Sequence, residues 1–325
     1  MSARRGSDWC PAEGRVEGSE EVDVTDATVA IDPAEFNSRL QLFFGEASDT
    51  VCRVYARLAD VTERGWSLSG HLVGPNCAYA DTLPAKFALS DRGPGAGLLA
   101  AATVPEPCFW TPDMPHLYRA TVELRRPDKV LASATRDIGL RTLGAASGKL
   151  YYDAKRWVLR GVRMDSVPLT DLREWRELQT TLVVRHPSEE LCRQASEVGV
   201  LLVAELETFD AGAIRRLARW AAVGMVVLPS EMDHERTTLR SLGQNLLFAE
   251  RFVLGQPVRP SAWADVAFCE LDSAAEVAMN NEKCESAIVA VAKPTRYPNL
   301  ATARSACDQL QRRLAGHDQW AGYVA

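Results

Sequence analysis

Gly199-Val200-Leu201-Leu202-Val203-Ala204-Glu205 is a continuous apolar run that ends in a carboxylate. A run of this kind, without alternation of apolar and polar residues, is typical of a strand buried on both faces of a parallel sheet. A helical pattern precedes it at Glu189 to Val198, and another follows at Ala211 to Ala222 behind the capping candidate Asp210. Strands and helices that alternate in this way predict an α/β fold.

The same alternation extends from about residue 150 to the end of the chain. Further helices are expected at Glu235 to Leu242, at Ala274 to Lys283 after Ser273, and at Ala301 to Leu314 after Asn299. The candidate strands are 157–162, 180–184, 200–206, 223–228, 246–252, 266–271, 287–292 and 321–325. Eight such repeats predict a compact (β/α)8 TIM barrel over residues 146–325, which is short for a fold that usually needs roughly 200 residues.

A different pattern covers residues 22–145, where short strand-like segments are separated by turn residues. These segments are 28–31, 39–44, 51–58, 66–72, 85–89, 98–104, 118–124 and 130–135. Their spacing predicts an antiparallel β-sandwich. The glycine-rich stretch Gly93 to Gly97 is interpreted as a turn and not as a nucleotide-binding loop, because no helical pattern follows it. The chain is therefore predicted to be a multidomain protein of β and α/β class.

Composition and charge restrict the partners of the protein. The 325 residues are 46% hydrophobic and 25% charged, and the formal net charge is −6. This balance gives no extended basic field, so neither nucleic acid nor an anionic membrane is an expected partner. A carbohydrate ligand and a protein partner stay open.

The first 21 residues are expected to form a disordered tail. No apolar run of signal-peptide length follows Arg4 and Arg5, and no segment has the roughly 20 apolar residues of a membrane span. These patterns predict a cytoplasmic protein.

The eight cysteines are far apart, with no C-x-x-C pair and no histidine at ligand spacing. We therefore expect no metal site and no cofactor. Cys192, Cys269 and Cys307 lie in apolar or helical contexts, where a free thiol behaves as a small hydrophobic group.

Several motifs carry a resemblance to a known family. Pro107 to Leu124 resembles the end of the immunoglobulin-like sandwich in family 2 glycoside hydrolases. Ile138-Gly139-Leu140-Arg141 is similar to the element that follows this sandwich, and Leu159-Arg160-Gly161-Val162 is similar to the first barrel strand. The stretches 185–187, 191–192 and 199–205 continue the resemblance, which is strongest over residues 105–205. It implies an immunoglobulin-like β-sandwich followed by a TIM barrel.

The resemblance also implies where the catalytic groups would lie. A retaining glycosidase needs two carboxyl groups about 5–5.5 Å apart, one as acid/base and one as nucleophile. Glu231, after the fourth strand, matches the acid/base, although Ser230 replaces the expected Asn. Lys293 stands near the nucleophile position after the seventh strand, and an ammonium group cannot act as that nucleophile. Arg163 and Asp165 replace an Asn and a His of the first strand.

Two glutamates are candidates for a substitute nucleophile. Glu250 lies in the fifth predicted strand and Glu270 lies at the end of the sixth. The alternative is that each is a solvated or ion-paired carboxylate at a strand end.

Further candidates for substrate binding follow from strand ends. His186 matches a residue at the floor of the family's cleft, but it could equally be a structural group before Pro187. Glu205 could pair with Arg160 or Arg185 inside the barrel mouth, or take part in catalysis. Trp320 could stack on a sugar ring or belong to the core.

These observations leave two hypotheses. The first is a pseudoenzyme that has lost its nucleophile and binds carbohydrate or a protein partner. The second is an active retaining hydrolase of β-galactosides, β-glucuronides or β-mannosides, with Glu231 as acid/base.

Overall fold

The computed structural model describes residues 32–59, 61, 65–93, 95–230, 235–252, 258–271, 286–293, 295–316 and 320–325. These residues all belong to one compact unit, which extends from residue 31 to residue 325. The domain boundaries at residues 21 and 145 stay a prediction.

The N-terminal half of this unit is a seven-stranded antiparallel sheet with the order β1-β2-β5-β4-β3-β6-β7. Strand β4 pairs with β3 along Ala85 to Leu89 and with β5 only at Ser90 and Asp91, so the sheet curls over on itself. The strands are β1 Gln41–Gly45, β2 Val51–Ala59, β3 Ser67–Asn76, β4 Ala85–Asp91, β5 Gly97–Pro105, β6 Leu117–Arg125 and β7 Val130–Ile138. The curled sheet has the form of a β-sandwich, as predicted.

Burial in the sandwich alternates with the strand period. In β2 the buried side chains are Cys52, Val54, Ala56 and Leu58, and they pack into one core with the inward side chains of the other strands. This alternation places apolar side chains between the two halves of the curled sheet.

A helix precedes the first strand of the sandwich. Helix α1, Pro33–Arg39, is capped by the side chain of Asp32 and buries Phe36 in the sandwich core. The expected strand start at Arg39 is therefore wrong by two residues, because Arg39 completes this helix. The expected strand at Thr28 to Ile31 lies outside the described residues.

A small antiparallel sheet connects the two halves of the unit. Its strands are β8 Gly144–Ala146, β9 Lys149–Tyr152 and β10 Lys155–Trp157. Asp153 and Ala154, both with positive φ, form the tight turn between β9 and β10. The prediction that Trp157 begins the first barrel strand is therefore wrong, because Trp157 ends this hairpin.

The C-terminal half is a closed parallel barrel of eight strands. The strands are β11 Leu159–Met164, β12 Thr181–Arg185, β13 Leu202–Glu205, β14 Val223–Pro229, β15 Leu247–Phe252, β16 Val266–Glu270, β17 Ala287–Val291 and β18 Trp320–Val324. Pairing of β11 with β18 closes the cylinder. The prediction of a compact (β/α)8 barrel behind a β-sandwich is confirmed.

Helices between the barrel strands begin and end at identifiable caps. Ser188 and Gly199 bound α3, and the side chains of Asp210 and Asn299 cap α4 and α6 as predicted. The helices are α2 Leu172–Glu177, preceded by a 3₁₀ turn at Leu169–Asp171, α3 Glu189–Val198, α4 Ala211–Leu217, α5 Arg236–Leu242 and α6 Leu300–Leu314. The helix expected at 274–283 lies outside the described residues. Within the described part of the chain, no helix has the length and apolar character that a membrane crossing requires.

The motifs that carry the family resemblance hold the sandwich against the barrel. The buried indole of Trp110 donates a hydrogen bond of 2.8 Å to the carbonyl of Ser196 in α3. Arg141, also buried, donates to the carbonyls of Val223 at 2.6 Å and Asn245 at 3.1 Å. A Cβ atom added at Gly139 would lie 2.6 Å from the Cβ of Ala221. These residues therefore have a structural role at the junction.

Candidate functional site

The candidate site is the barrel mouth, the rim formed by the C-terminal ends of β11 to β18, where active sites of this fold lie. Leu159, Val183, Val203 and Phe268 are among the buried side chains that fill the barrel interior. Alternate residues of a strand share a face. The same face continues at the strand ends to Arg163, Arg185, Glu205, Arg251, Glu270 and Lys293. The mouth is therefore rich in charge.

Three of these side chains form what we call the mouth triad: Arg163, Glu205 and Glu270. Arg163 Nη2 lies 2.6 Å from Glu205 Oε1, and Arg163 Nη1 lies 3.6 Å from Glu270 Oε1. The side chains of Arg163 and Glu205 are 9% and 3% exposed, whereas that of Glu270 is 31% exposed. One buried guanidinium thus joins a buried carboxylate to a partly exposed one.

The mouth triad holds a positive charge in a buried position. The guanidinium of Arg163 brings a positive charge to this position. Arg163 Nε is buried and has no hydrogen-bond partner among the described residues. The contact with Glu205 therefore supplies most of the compensation for burying this charge.

Glu205 pairs with Arg163, although the sequence predicted Arg160 or Arg185 as its partner. Arg160 lies on the outer face of β11, where its Nε donates to Gln311 Oε1 of α6 at 3.1 Å. Arg185 lies at the rim and pairs with Glu207 at 3.3 Å, where both side chains are about half exposed. The expected pairing is wrong, because Arg160 is an even-numbered residue of β11 and faces outward, and Arg185 pairs with Glu207 at the rim.

Glu250 does not face the mouth. It shares the outer face of β15 with Phe248 and Phe252, both of which pack outside the barrel. Its buried carboxylate accepts hydrogen bonds from the backbone N–H of Ser261 at 2.6 Å and from Ser261 Oγ at 3.1 Å. Burial raises the pKa of Glu250, and the hydrogen bonds from Ser261 oppose that rise. This position removes Glu250 as a substitute nucleophile.

Trp320 is also distant from the mouth. It is the first residue of β18, at the opposite end of the barrel, and it is buried with Ile288, Cys307 and Leu310 on the outer face. The interpretation of Trp320 as a platform for a sugar ring is therefore wrong. It is a core residue.

The remaining candidates lie at the rim. His186 is exposed after β12 with a φ of 46°, and its backbone N–H donates to the carbonyl of Glu205 at 3.1 Å. Ser230 is half-buried after β14, and Lys293 is exposed two residues after β17. Glu231, the predicted acid/base, lies outside the described residues. The structure thus brings Arg163, Glu205, Glu270 and the His186 backbone together.

Arg163 is the functional candidate whose role sequence reasoning missed. Its departure from the family pattern was visible, since an Asn was expected at this position. The spacing of four residues from Leu159 would have placed Arg163 on the interior face, had the orientation of β11 been known.

Among the described residues, no group of three His, Cys, Asp or Glu side chains is placed to hold a metal ion.

Comparisons with known proteins agree with the fold. Residues 77–141 match the family model described as glycosyl hydrolases family 2. The chain is 33% identical over 92 residues to a β-galactosidase of Enterobacter cloacae, a segment that is 27% of this chain and 9% of that protein. It is 41% identical over 64 residues to a β-galactosidase of Klebsiella pneumoniae, which is 20% of this chain and 6% of that protein.

Solved structures extend the likeness to most of the chain. An FMN-binding β-glucuronidase from Facaelibacterium prausnitzii L2-6 superposes with a TM-score of 0.60 at 13% identity, over 89% of this chain and 55% of that chain. A β-glycosidase from Bacteroides vulgatus gives a TM-score of 0.59 at 12% identity, over 80% of this chain and 38% of that one. The chain therefore spans about half the length of these proteins or less, and the likeness shows the fold.

Together, the sandwich, the barrel and the segment matched by the family model define a glycosidase-like protein. The chain is a glycosyl hydrolase family 2-like protein. The segment matched by the family model ends at Arg141, before the first barrel strand begins at Leu159. The match therefore lies in the sandwich and its junction and includes no residue of the mouth.

Proposed function

We propose that the chain is a family 2-like protein that binds a carbohydrate at the barrel mouth without hydrolysing it. The observation that carries this proposal is the buried guanidinium of Arg163, which is ion-paired with Glu205 and faces Glu270. The proposal takes carbohydrate as the ligand class because the matched curated proteins are β-galactosidases.

The charge of Arg163 opposes the chemistry of a retaining glycosidase. The transition state of glycoside hydrolysis resembles an oxocarbenium ion, which is stabilised by nearby carboxylates. A buried cation among those carboxylates has the opposite effect, since charges interact strongly where water is excluded. Glu205 is also ion-paired through Oε1 at 2.6 Å, and its side chain is only 3% exposed, so a substrate has little access to its carboxylate.

The rim still offers groups that suit sugar hydroxyls. Arg185, His186, Ser230 and Lys293 lie at or just after the ends of three strands, and their side chains can donate hydrogen bonds. Lys293 stands near the position where the resemblance places the nucleophile. It could therefore donate a hydrogen bond to a sugar at the position where a retaining glycosidase forms its covalent bond to the sugar. Ligand sites of this kind combine a cleft with a few convergent polar groups.

Calorimetry and chromogenic assays test the proposal together. Methyl β-galactoside, methyl β-glucuronide and methyl β-mannoside are titrated into the protein, and the nitrophenyl analogues are assayed for hydrolysis. We expect heat from at least one sugar, weakened by Lys293→Met, and no hydrolysis above that of Glu231→Gln. Arg313→Gln, a change at an exposed residue of α6, serves as the control. No heat from any sugar would contradict carbohydrate binding and leave a protein partner.

A specific observation favours a second candidate, an active retaining hydrolase with Glu231 as acid/base and Glu270 as nucleophile. Glu270 faces the mouth, is 31% exposed and lies 3.6 Å from Arg163, so it is the more accessible carboxylate of the mouth triad. A fluoro-sugar label trapped on Glu270, together with hydrolysis lost in Glu270→Gln but kept in Glu207→Gln, would establish this candidate. Glu207 is the matched control because it is an exposed carboxylate at the same rim.

A further inference from the structure

A cleft lies between the sandwich and the barrel, away from the mouth. It is open to solvent and is lined by residues from the end of α1, from β1, β7 and α4, and from the loop after α5. Ligand sites often lie where two structural parts of a protein meet. Because barrel helices run antiparallel to the strands, the C-terminal ends of α4 and α5 lie at the end of the barrel opposite the mouth.

Three arginines line this cleft: Arg136, Arg215 and Arg219. None of its described lining residues is acidic. Among the described residues, no carboxylate oxygen lies within 4.0 Å of any of the three guanidinium groups, so none of them forms an ion pair there. The charge of Glu189 raises the pKa of Arg219, but burial lowers that pKa by more. We call this feature the arginine cleft.

Two of the arginines are held against each other by backbone carbonyls. Arg136 donates to Asn37 Oδ1 at 2.8 Å, to the carbonyl of Leu40 at 2.9 Å and to the carbonyl of Asn37. Arg219 donates to the same Asn37 carbonyl at 3.4 Å and to that of Ser38 at 2.7 Å. Two guanidinium groups that share one acceptor repel each other, and neutral carbonyls only partly offset that repulsion.

The electrostatics of this pair suit the binding of an anion. Burial, and secondarily the charge of Arg219, lowers the pKa of Arg136 to about 9, which leaves it charged at neutral pH. Burial is also the main cause of the lowered pKa of Arg219. An anion bound between the two groups would favour their charged forms and so oppose the effect of burial on both pKa values.

We infer that the arginine cleft binds a small molecule that carries a phosphate group. Three guanidinium groups at one cleft suit a dianion, and the planar fork of arginine matches phosphate oxygens in pairs. Leu40, Leu42 and Phe43 line the same cleft and offer an apolar surface for an organic group attached to the phosphate. The site is separate from the carbohydrate site proposed at the mouth, so either could fail without the other.

Calorimetry at low ionic strength tests this inference, with pyrophosphate and phenyl phosphate as probes and benzoate as the carboxylate comparison. We expect both phosphates to bind more tightly than benzoate. Arg215→Gln should weaken phosphate binding by about tenfold, since a charge-assisted contact is lost. Arg215 is exposed and has no ion pair or hydrogen bond in the described structure, so this variant should fold normally.

Arg219→Gln, with its fold checked by circular dichroism, should weaken binding further, and Arg313→Gln in α6 is the matched control that should bind as the wild type does. The inference would be overturned by absence of heat with both phosphates, by benzoate binding as tightly as phenyl phosphate, or by equal binding in wild type and Arg215→Gln.

Discussion

Arg163 Nη2 and Glu205 Oε1 lie 2.6 Å apart inside the barrel, at the ends of two strands that are not neighbours. The contact therefore crosses the interior of the barrel and does not run along the sheet. The contact places a buried cation beside the carboxylates of the mouth and buries the carboxylate of Glu205, and these two features are the physical basis of the proposal that the barrel binds without hydrolysing.

Removal of Arg163 alone should destabilise the protein strongly. Arg163→Met would leave the carboxylate of Glu205 buried without its partner, and such changes cost about 3–5 kcal/mol. The double variant Arg163→Met with Glu205→Leu should recover most of that loss, because an apolar pair needs no charge compensation. Urea denaturation of the wild type, of Arg163→Met, of Glu205→Leu and of the double variant measures both effects. Equal stability of Arg163→Met and the wild type would contradict the buried ion pair.

The outward carboxylate of Glu250 should make stability depend on pH. Burial raises its pKa in the folded protein above the ordinary value of 4.5. The folded state therefore binds this proton more tightly than the unfolded state, so the contribution to stability is full below pH 4.5 and is lost as the pH rises through the raised pKa. As the pH rises from 4.5 through the raised pKa, the free energy of unfolding of the wild type should therefore fall relative to that of Glu250→Gln.

Denaturation of the wild type and Glu250→Gln at a series of pH values measures this difference. Glu177→Gln, which changes an exposed glutamate of α2, is the control and should track the wild type. A wild type that gains stability over Glu250→Gln as the pH rises would show that the hydrogen bonds from Ser261 outweigh the burial.

The junction between sandwich and barrel should not tolerate a methyl group at Gly139. A Cβ atom there would lie 2.6 Å from the Cβ of Ala221 and 2.9 Å from the Cβ of Trp110, both in packed surroundings. Overpacking of this kind costs about 1–3 kcal/mol. Gly139→Ala should therefore lower the melting temperature, whereas Gly144→Ala, which meets no atom within 4 Å, should not. Similar melting of the two variants would argue against this packing.

Three buried cysteines should be unreactive in the folded protein. Burial raises the pKa of Cys52 and Cys192 to about 12 and that of Cys307 to about 11, so the reactive thiolate is scarce at pH 8. Labelling with a disulfide reagent, followed by peptide mass spectrometry, should find Cys77 and Cys108 modified before the other cysteines of the described residues, because both are only half-buried. Labelling of Cys192 as fast as Cys77 would contradict the packing of α3.

Local patterns in the sequence predicted most of the elements. Helix α3 has the predicted bounds of Glu189 to Val198, because Ser188 begins it and Gly199 ends it with a φ of 91°. The short helices α1 and α2 were missed, since each has only seven residues or fewer and owes its stability to Phe36 or Trp175 in the core. The hairpins β8 to β10 were missed for a similar reason, because their strands have only three or four residues.

The sequence alone determined the order of the strands, the period of each segment and the residues that stand at the strand ends. It could not determine which side chains enter the barrel, because a strand buried on both faces is apolar at every position and carries no sign of its orientation. Only closure of the eight strands decided that Arg163, Glu205 and Glu270 meet inside, while Arg160, Glu250 and Trp320 face outward. A shift of a strand by one residue would exchange its inward and outward side chains. The register that prevents this shift is fixed by packing across the whole barrel.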